Sequence, residues 1–229
     1  PYEREFKMGC SRWDLIDVVR LAVALYPDII KLGNREGKVS YKLEDLSKEN
    51  GIVHEAAHDA LSDVRATIGI AKIIKQKAPM LFHRLLDQRL KANVQKEIET
   101  GKPLLIASSF FGSTHKYVDF VLPITINPNN KNEYFCLKLT RSPEEIEKLI
   151  NDTADLRKEL LFSTKDELEQ KGEERPALHT IRINKCPVLI STDTLKDLFP
   201  DDTERNNVYQ SLGFEMQQII QSYKLVNSK

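Results

Sequence analysis

The residues best suited to chemistry lie close together at positions 51–63, in the sequence GIVHEAAHDALSD. Within it, His54-Glu55-x-x-His58 has the spacing by which one helix presents two imidazoles to a zinc ion, with the glutamate as the base of a peptidase. Gly51 argues against that chemistry, because it is expected to end the preceding helix and to leave His54 in a connection. The residue after His58 is also charged, and no third zinc ligand is evident downstream. A zinc metallopeptidase is therefore kept only as a remote alternative.

A second interpretation of the same segment pairs His58 with Asp63. On one helix, residues at this spacing point roughly 140° apart, so they converge only if His58 lies at the helix N-terminus and Asp63 one turn inside. A histidine at that end stays neutral more readily, which suits a general base, and an aspartate there can bind a hard divalent ion. The structural alternative is that Asp59 caps the helix and that both other side chains are solvated. The spacing alone favours that alternative.

The elements that must position these residues are helices. A capping box, Ser11-Arg12-Trp13-Asp14, is expected to open a helix that is apolar on most faces and ends before Pro27. Residues 33–38, rich in glycine, asparagine and lysine, are expected to form a loop. Further helices are predicted at residues 42–50, between Asp59 and Pro79, and between Pro79 and Gly101.

The pattern changes at Lys102-Pro103, where strand-like segments replace helical periodicity. Strands are predicted at residues 104–107, 117–126, 134–139, 178–183 and 188–191. A helical stretch opening at Ser142-Pro143, its continuation at 152–161, a charged hinge at 170–175 and an amphipathic helix at 207–223 complete the chain. The predicted fold class is α+β, with helices first and then a small, interrupted β-barrel with helical insertions.

Composition excludes several classes of protein. Hydrophobic residues make up 41% and charged residues 30% of the 229 residues, which is ordinary for a globular protein and excludes wholesale disorder. No apolar run approaches the roughly 20 residues of a membrane span, and no signal-peptide pattern opens the chain. The three cysteines are scattered, so a reducing cytoplasm is expected rather than a disulfide scaffold. The 34 basic and 34 acidic residues balance, so no global basicity indicates a nucleic-acid partner.

Several short motifs are spread over essentially the whole chain. They are SRWDL at 11–15, LxxLxKxNGI at 43–52, AHDAxxDVxAT at 57–67, FG at 111–112, NPxNKN at 127–132 and INKCPVL at 183–189. In this order and spacing, the chain resembles the bacterial exonuclease I family, which belongs to the DEDD superfamily in the subclass with a catalytic histidine. The resemblance implies that residues 1–78 are the C-terminal part of an RNase H-like exonuclease domain. Residues 79–229 are then an SH3-like domain with flanking helices.

The activity implied by the resemblance is 3′–5′ exonuclease cleavage of single-stranded DNA, releasing 5′-mononucleotides by hydrolysis with two Mg²⁺ ions. His58 matches the family's general base, and Asp63 matches its last metal-binding carboxylate. Arg20, Lys42 and Lys102 fall where the resemblance implies contacts with DNA. The implied partners are single-stranded DNA and the acidic C-terminal tail of single-strand-binding protein. The protein is expected to be a monomer and not to bind a membrane.

The chain also departs from the pattern of the family that it resembles. The family's D-x-E pair and its middle aspartate belong upstream of Pro1, and its C-terminal helical domain lies beyond this chain. Residues 1–229 alone are therefore expected to be inactive, because one carboxylate cannot hold two divalent ions. A different class of function stays open for the chain by itself, a DNA- or protein-binding module without catalysis.

Overall fold

The computed structural model describes residues 10–54, 59–151 and 177–228, and the predicted helix at 152–161 and hinge at 170–175 lie outside them. Helices come first, and an antiparallel sheet flanked by further helices follows. In chain order, the elements are α1 (Leu15–Leu25), β1 (Gly33–Arg35), β2 (Lys38–Ser40), α2 (Leu43–Glu49), α3 (Ala60–Lys77), α4 (Pro79–Asp87), α5 (Lys91–Glu99), β3 (Leu104–Ala107), β4 (Val118–Asn127), β5 (Asn130–Lys138), α6 (Pro143–Asn151), β6 (Leu178–Arg182), β7 (Val188–Ser191), α7 (Thr192–Leu198), α8 (Asp202–Ser211) and α9 (Met216–Asn227).

Helix α1 is buried on most of its faces, as its composition predicted, and it ends at Leu25, before Pro27. The predicted capping box is wrong. The N-cap is Asp14, whose carboxylate accepts a hydrogen bond of 3.1 Å from the backbone N–H of Ile16. An aspartate so close to the first free N–H groups caps the helix by itself, so Ser11 is left outside it.

The helix predicted between Pro79 and Gly101 is two helices, α4 and α5. The chain breaks at Gln88, whose buried side-chain amide turns toward the sheet. Its Nε2 donates to the carbonyl of Leu189 at 2.6 Å, and its Oε1 accepts from the N–H of Leu189 at 3.3 Å. Glu97 on α5 accepts from the N–H of Ser191 at 2.8 Å. Both helices are thereby fixed along the outer edge of β7.

Two other sequence predictions differ from the structure. Residues 33–38 take part in a short antiparallel hairpin, β1–β2, rather than a loop alone. The predicted helix at 207–223 is split into α8 and α9 by Gly213, whose φ of +74° is left-handed and ends α8. Helix α7 was not predicted, because its short polar sequence carries little periodicity.

The main sheet has five antiparallel strands in the order β6-β5-β4-β3-β7. The α+β class is therefore confirmed, and all five predicted strands are present. The predicted β-barrel is not closed along the described part of the chain, because β6 and β7 each pair with one neighbour only. Among the described residues, no helix is long and apolar enough to cross a membrane.

Strand β3, which lies between β4 and β7, has side chains in two hydrophobic cores on opposite faces of the sheet. Leu105 and Ala107 face the larger core, which also contains residues of α1, α3, α4 and the C-terminal helices. Leu104 and Ile106 face a smaller core that α5 covers. This alternation follows from the two-residue period of a strand. The larger core continues across residues 78 and 79, so the helices of the first third pack directly on the sheet, while the domain boundary there stays a prediction.

Candidate functional site

Residues 59–63 of the segment at 51–63 form the N-terminus of α3. Asp59 is the N-cap, and its side chain accepts from the N–H of Ser62 at 3.0 Å. Asp63 lies in the first turn, where its own N–H donates to the carbonyl of Asp59 at 2.9 Å. Asp63 thus lies one turn inside the helix, where convergence with His58 would require it. The cap at Asp59 is the one that the structural alternative expected.

His54 lies before α3, outside any helix, as the glycine at position 51 predicted. Its Nε2 is 2.7 Å from Oδ1 of Asp63, and its side chain is only 5% exposed while that of Asp63 is 41% exposed. A carboxylate oxygen accepts hydrogen bonds, so this contact is a hydrogen bond in the His54 tautomer that carries its proton on Nε2. Because His54 is not helical, it does not share a helix face with a second histidine in the manner of a zinc peptidase.

His58 lies outside the described residues, so its predicted role as general base stays a prediction. The chain on both sides of it is described. On one side His54 is hydrogen-bonded to Asp63, and on the other Asp59 caps the same first turn of α3. Both flanks of residues 55–58 are thus attached to the turn that carries Asp63.

Asp63 fits a divalent metal ion as one carboxylate ligand. Hard divalent cations take six or more oxygen ligands, or keep several waters beside one or two carboxylates. Within the described ranges, no group of three or more histidine, cysteine or acidic side chains is arranged to hold a metal ion. A metal site that used Asp63 would therefore need further carboxylates beyond the described residues to complete it.

An open groove of about 830 Å³ runs beside this helix. It lies between the start of α1, the start of α2, one face of α3 and the turn that follows β6. Its charged and aromatic side chains are Arg12, Trp13, Asp14, Tyr41, Lys42 and Lys185. Thr67 joins the groove to Asp63, because it lines the groove and its hydroxyl donates to the Asp63 carbonyl at 2.8 Å. Cations beside aromatic rings suit a ligand that carries both negative charge and flat rings.

Of the three predicted DNA-contacting cations, Lys42 is exposed and lines the groove. Arg20 is 13% exposed and pairs with Asp17 at 2.5 Å, and its guanidinium lies over the rings of Tyr41 and Tyr117. Burial raises the pKa of Asp17 in spite of this pairing. Arg20 is therefore connected to the groove through Tyr41, which lines it. Lys102 is half-buried in the connection between α5 and β3 and is not one of the residues that line the groove.

An aromatic surface after β3 was missed by sequence reasoning. Phe110 is 74% exposed, and the ring of Phe111 lies 4.7 Å from that of His179. Nζ of Lys138 lies 5.7 Å from the centre of the Phe111 ring. Burial, followed by the nearby Lys138 charge, lowers the pKa of His179 to about 4. The signal available in the sequence was a pair of adjacent phenylalanines between turn residues, because two neighbouring side chains cannot both face the same core.

The chain is similar in sequence to known proteins. A family model described as the exonuclease I SH3-like domain matches residues 89–228. Exodeoxyribonuclease I of Haemophilus influenzae is 38% identical over 93% of this chain and 44% of its own length. Exodeoxyribonuclease I of Escherichia coli is 35% identical over 99% of this chain and 45% of its own length. The chain thus spans less than half the length of these two relatives.

Solved structures give the same result. Escherichia coli exonuclease I in complex with a dA16 oligonucleotide is 33% identical, with a TM-score of 0.83 over 100% of this chain and 47% of that one. An ExoI/SSB-Ct complex is 31% identical, with a TM-score of 0.80 over 100% of this chain and 46% of that one. By sequence and by fold, the chain belongs to the exonuclease I family.

Proposed function

We propose that this chain is part of an exodeoxyribonuclease that degrades single-stranded DNA from its 3′ end and releases 5′-mononucleotides. The observation that carries the proposal is the match of the whole chain to E. coli exonuclease I in complex with a dA16 oligonucleotide. The first turn of α3, with Asp63 in it, lies within the matched region. The free thiols of Cys10, Cys136 and Cys186 agree with action in the cytoplasm. A monomeric state is proposed on the family resemblance alone.

In this function Asp63 is one ligand of a pair of divalent ions, with Mg²⁺ as the expected metal and further carboxylates completing the site. When bound, such ions activate water and stabilise the leaving 3′-oxygen. His58 would take the proton of that water. The support for this role is the attachment of both flanks of residues 55–58 to the first turn of α3.

The groove is the proposed path of the DNA strand. Lys42 would contact a phosphate, and Tyr41 and Trp13 offer aromatic faces for bases. Arg20 would act by holding Tyr41, with direct phosphate contact requiring release from Asp17. Lys102 is proposed as a further contact on the family resemblance alone.

The path can extend from the groove to the aromatic surface. Tyr41 packs edge-on against Tyr117 with ring centres 5.3 Å apart. Tyr117 closes the loop from Ser108, whose N–H donates to the Tyr117 carbonyl at 2.8 Å. Phe110 projects from the same loop, so it is placed to stack on a base beyond the groove.

A second candidate function is binding without catalysis, as a module that holds DNA or the tail of single-strand-binding protein. The match of the whole chain to the ExoI/SSB-Ct complex favours it. The two functions are compatible in one complete protein, because a partner that covers single-stranded DNA would bring the nuclease to its substrate.

The test uses the complete protein that contains this chain, with a single-stranded oligonucleotide and its duplex as substrates. We expect mononucleotides from the single strand in Mg²⁺ and none in a chelator. His58→Ala should lower the rate by about 10²–10⁴-fold, the usual worth of a general base. Asp63→Asn should lower it at least as much.

Asp201→Asn is the matched control, because Asp201 is also an N-cap carboxylate but belongs to α8. It should leave the rate unchanged. Binding of DNA by the complete protein without metal-dependent release of nucleotides would contradict the nuclease and leave the binding module.

A further inference from the structure

His54 is a buried polar side chain that the proposed mechanism does not use. It lies in a non-helical connection, yet it is hydrogen-bonded to a carboxylate nine residues away, at 2.7 Å. A buried imidazole without a hydrogen-bond partner would lower the stability of the protein. An imidazole whose hydrogen bond is formed has a definite orientation. The partner in this case is the residue that the proposed function makes a metal ligand.

The backbone of Asp63 is already fixed by α3. Its N–H donates to Asp59 and its carbonyl accepts from Thr67, so rotation of its side chain is the main freedom that remains. The imidazole of His54 removes that freedom by holding Oδ1. Because the side chain of Asp63 is still 41% exposed, the carboxylate stays accessible to an ion.

We propose that His54 is a positioning residue, which orients the Asp63 carboxylate for metal binding through the Nε2–H···Oδ1 hydrogen bond. The inference rests on the proposed function, since it assumes that Asp63 binds a metal ion. Carboxylates that bind metals are commonly held by such outer hydrogen bonds, and the loss of one typically costs about 10–100-fold in metal affinity or activity.

The experiment measures Mn²⁺ binding to the complete protein without DNA, by electron paramagnetic resonance of the free ion. His54→Leu removes the donor, and we expect its Kd for Mn²⁺ to rise by about 10–100-fold. His54→Gln keeps an N–H donor at similar reach and should restore most of the affinity. His115→Leu is the control, because it removes an imidazole whose Nδ1 lies 3.1 Å from the carbonyl of Leu212, far along the chain.

If the role of His54 were purely structural, His54→Leu and His54→Gln would both lower thermal stability. His54→Leu would then show no increase in the Kd for Mn²⁺ that His54→Gln reverses. An unchanged Kd in His54→Leu would overturn the proposal. If His54→Leu does not fold, His54→Asn replaces it, because its amide is one methylene too short to reach Asp63. A wild-type affinity in a folded His54→Asn protein would overturn the proposal equally.

The outcome can be separated from that of the proposed function. Failure of the wild-type protein to degrade single-stranded DNA with a divalent metal would contradict the proposed function. Normal degradation by the wild-type protein, together with normal Mn²⁺ binding by His54→Leu, would contradict only the role of His54.

Discussion

At the scale of single residues, His179 shows how burial sets a charge state. The His179 ring packs on the ring of Phe111, and Nζ of Lys138 lies close to the Phe111 ring. Both burial and the lysine charge oppose protonation, and they lower the pKa of His179 from 6.5 to about 4. The imidazole is therefore neutral in the folded protein at neutral pH. It can present a flat, uncharged ring beside the exposed Phe110.

This pKa predicts a loss of stability in acid. The unfolded chain takes up the His179 proton near pH 6.5, whereas the folded chain takes it up only near pH 4. The full contribution is present above pH 6.5, and it falls by up to about 1.4 kcal/mol per pH unit as the pH drops through this window. His179→Gln should flatten this slope in urea unfolding between pH 7 and pH 4. The exposed His83, changed to Gln, should not, and equal slopes in the two variants would refute the assignment.

The position of Asp63 in the structure was predictable from the sequence, but its hydrogen-bond partner was not. The place of Asp63 in the first turn of α3 followed from the helix start at Asp59, which is a local signal. His54 was noticed only as a possible zinc ligand. Its bond to Asp63 bridges residues 55–58, and no periodicity or spacing rule reports a contact of that kind.

At the scale of elements, the N-terminus of α3 depends on its cap. Asp59→Ala should lower the free energy of unfolding by about 1 kcal/mol, because the Ser62 N–H loses its acceptor. Asp201→Ala should cost about the same at α8, where Asp201 accepts from the N–H of Glu204 at 2.9 Å. Only Asp59→Ala should also lower the nuclease rate, because only that turn carries Asp63. The two variants are compared by urea unfolding and by nucleotide release, and an equal effect on both rates would contradict the prediction.

The helices were predicted best where a local signal ends them. Pro27 and Pro79 limit α1 and α3 as expected, and Gly51 adopts the left-handed conformation (φ +66°) that ends α2. The break between α4 and α5 was missed, because the apolar periodicity continues through it. Its cause is the bond of Gln88 to Leu189, 101 residues away, which a local pattern cannot contain.

At the scale of the whole molecule, the net charge of zero conceals a groove with cationic side chains. If Lys42 contacts a phosphate there, Lys42→Ala should weaken single-stranded DNA binding more at low salt than at high salt. The slope of log K against log salt should fall by about 0.7, the value for one lost contact with a single strand. Lys224→Ala removes an exposed cation on α9 and should leave the slope unchanged. Fluorescence anisotropy over a salt series measures both, and an unchanged slope for Lys42→Ala would make it an ordinary surface charge.

The whole-molecule architecture was predicted largely through the family resemblance. Composition and periodicity indicated helices followed by strands, and the sheet confirms that order. The packing of α1 on the sheet could not be predicted, because an apolar helix does not specify which apolar surface it meets. The larger core joins residues such as Leu21, Leu105 and Ile219, which are far apart in the sequence.

The side chains along β7 bear on how copies of this protein behave toward one another in concentrated solution. β7 is an outer strand, and such a strand offers unpaired peptide groups to which another polypeptide can add, the first step of aggregation. Gln88 occupies the N–H and the carbonyl of Leu189, and Glu97 occupies the N–H of Ser191. These backbone groups of β7 are therefore unavailable for pairing with a strand of another molecule. Replacing both Gln88 and Glu97 by alanine should make the protein self-associate as its concentration rises, which light scattering would detect, whereas wild-type protein should remain dispersed.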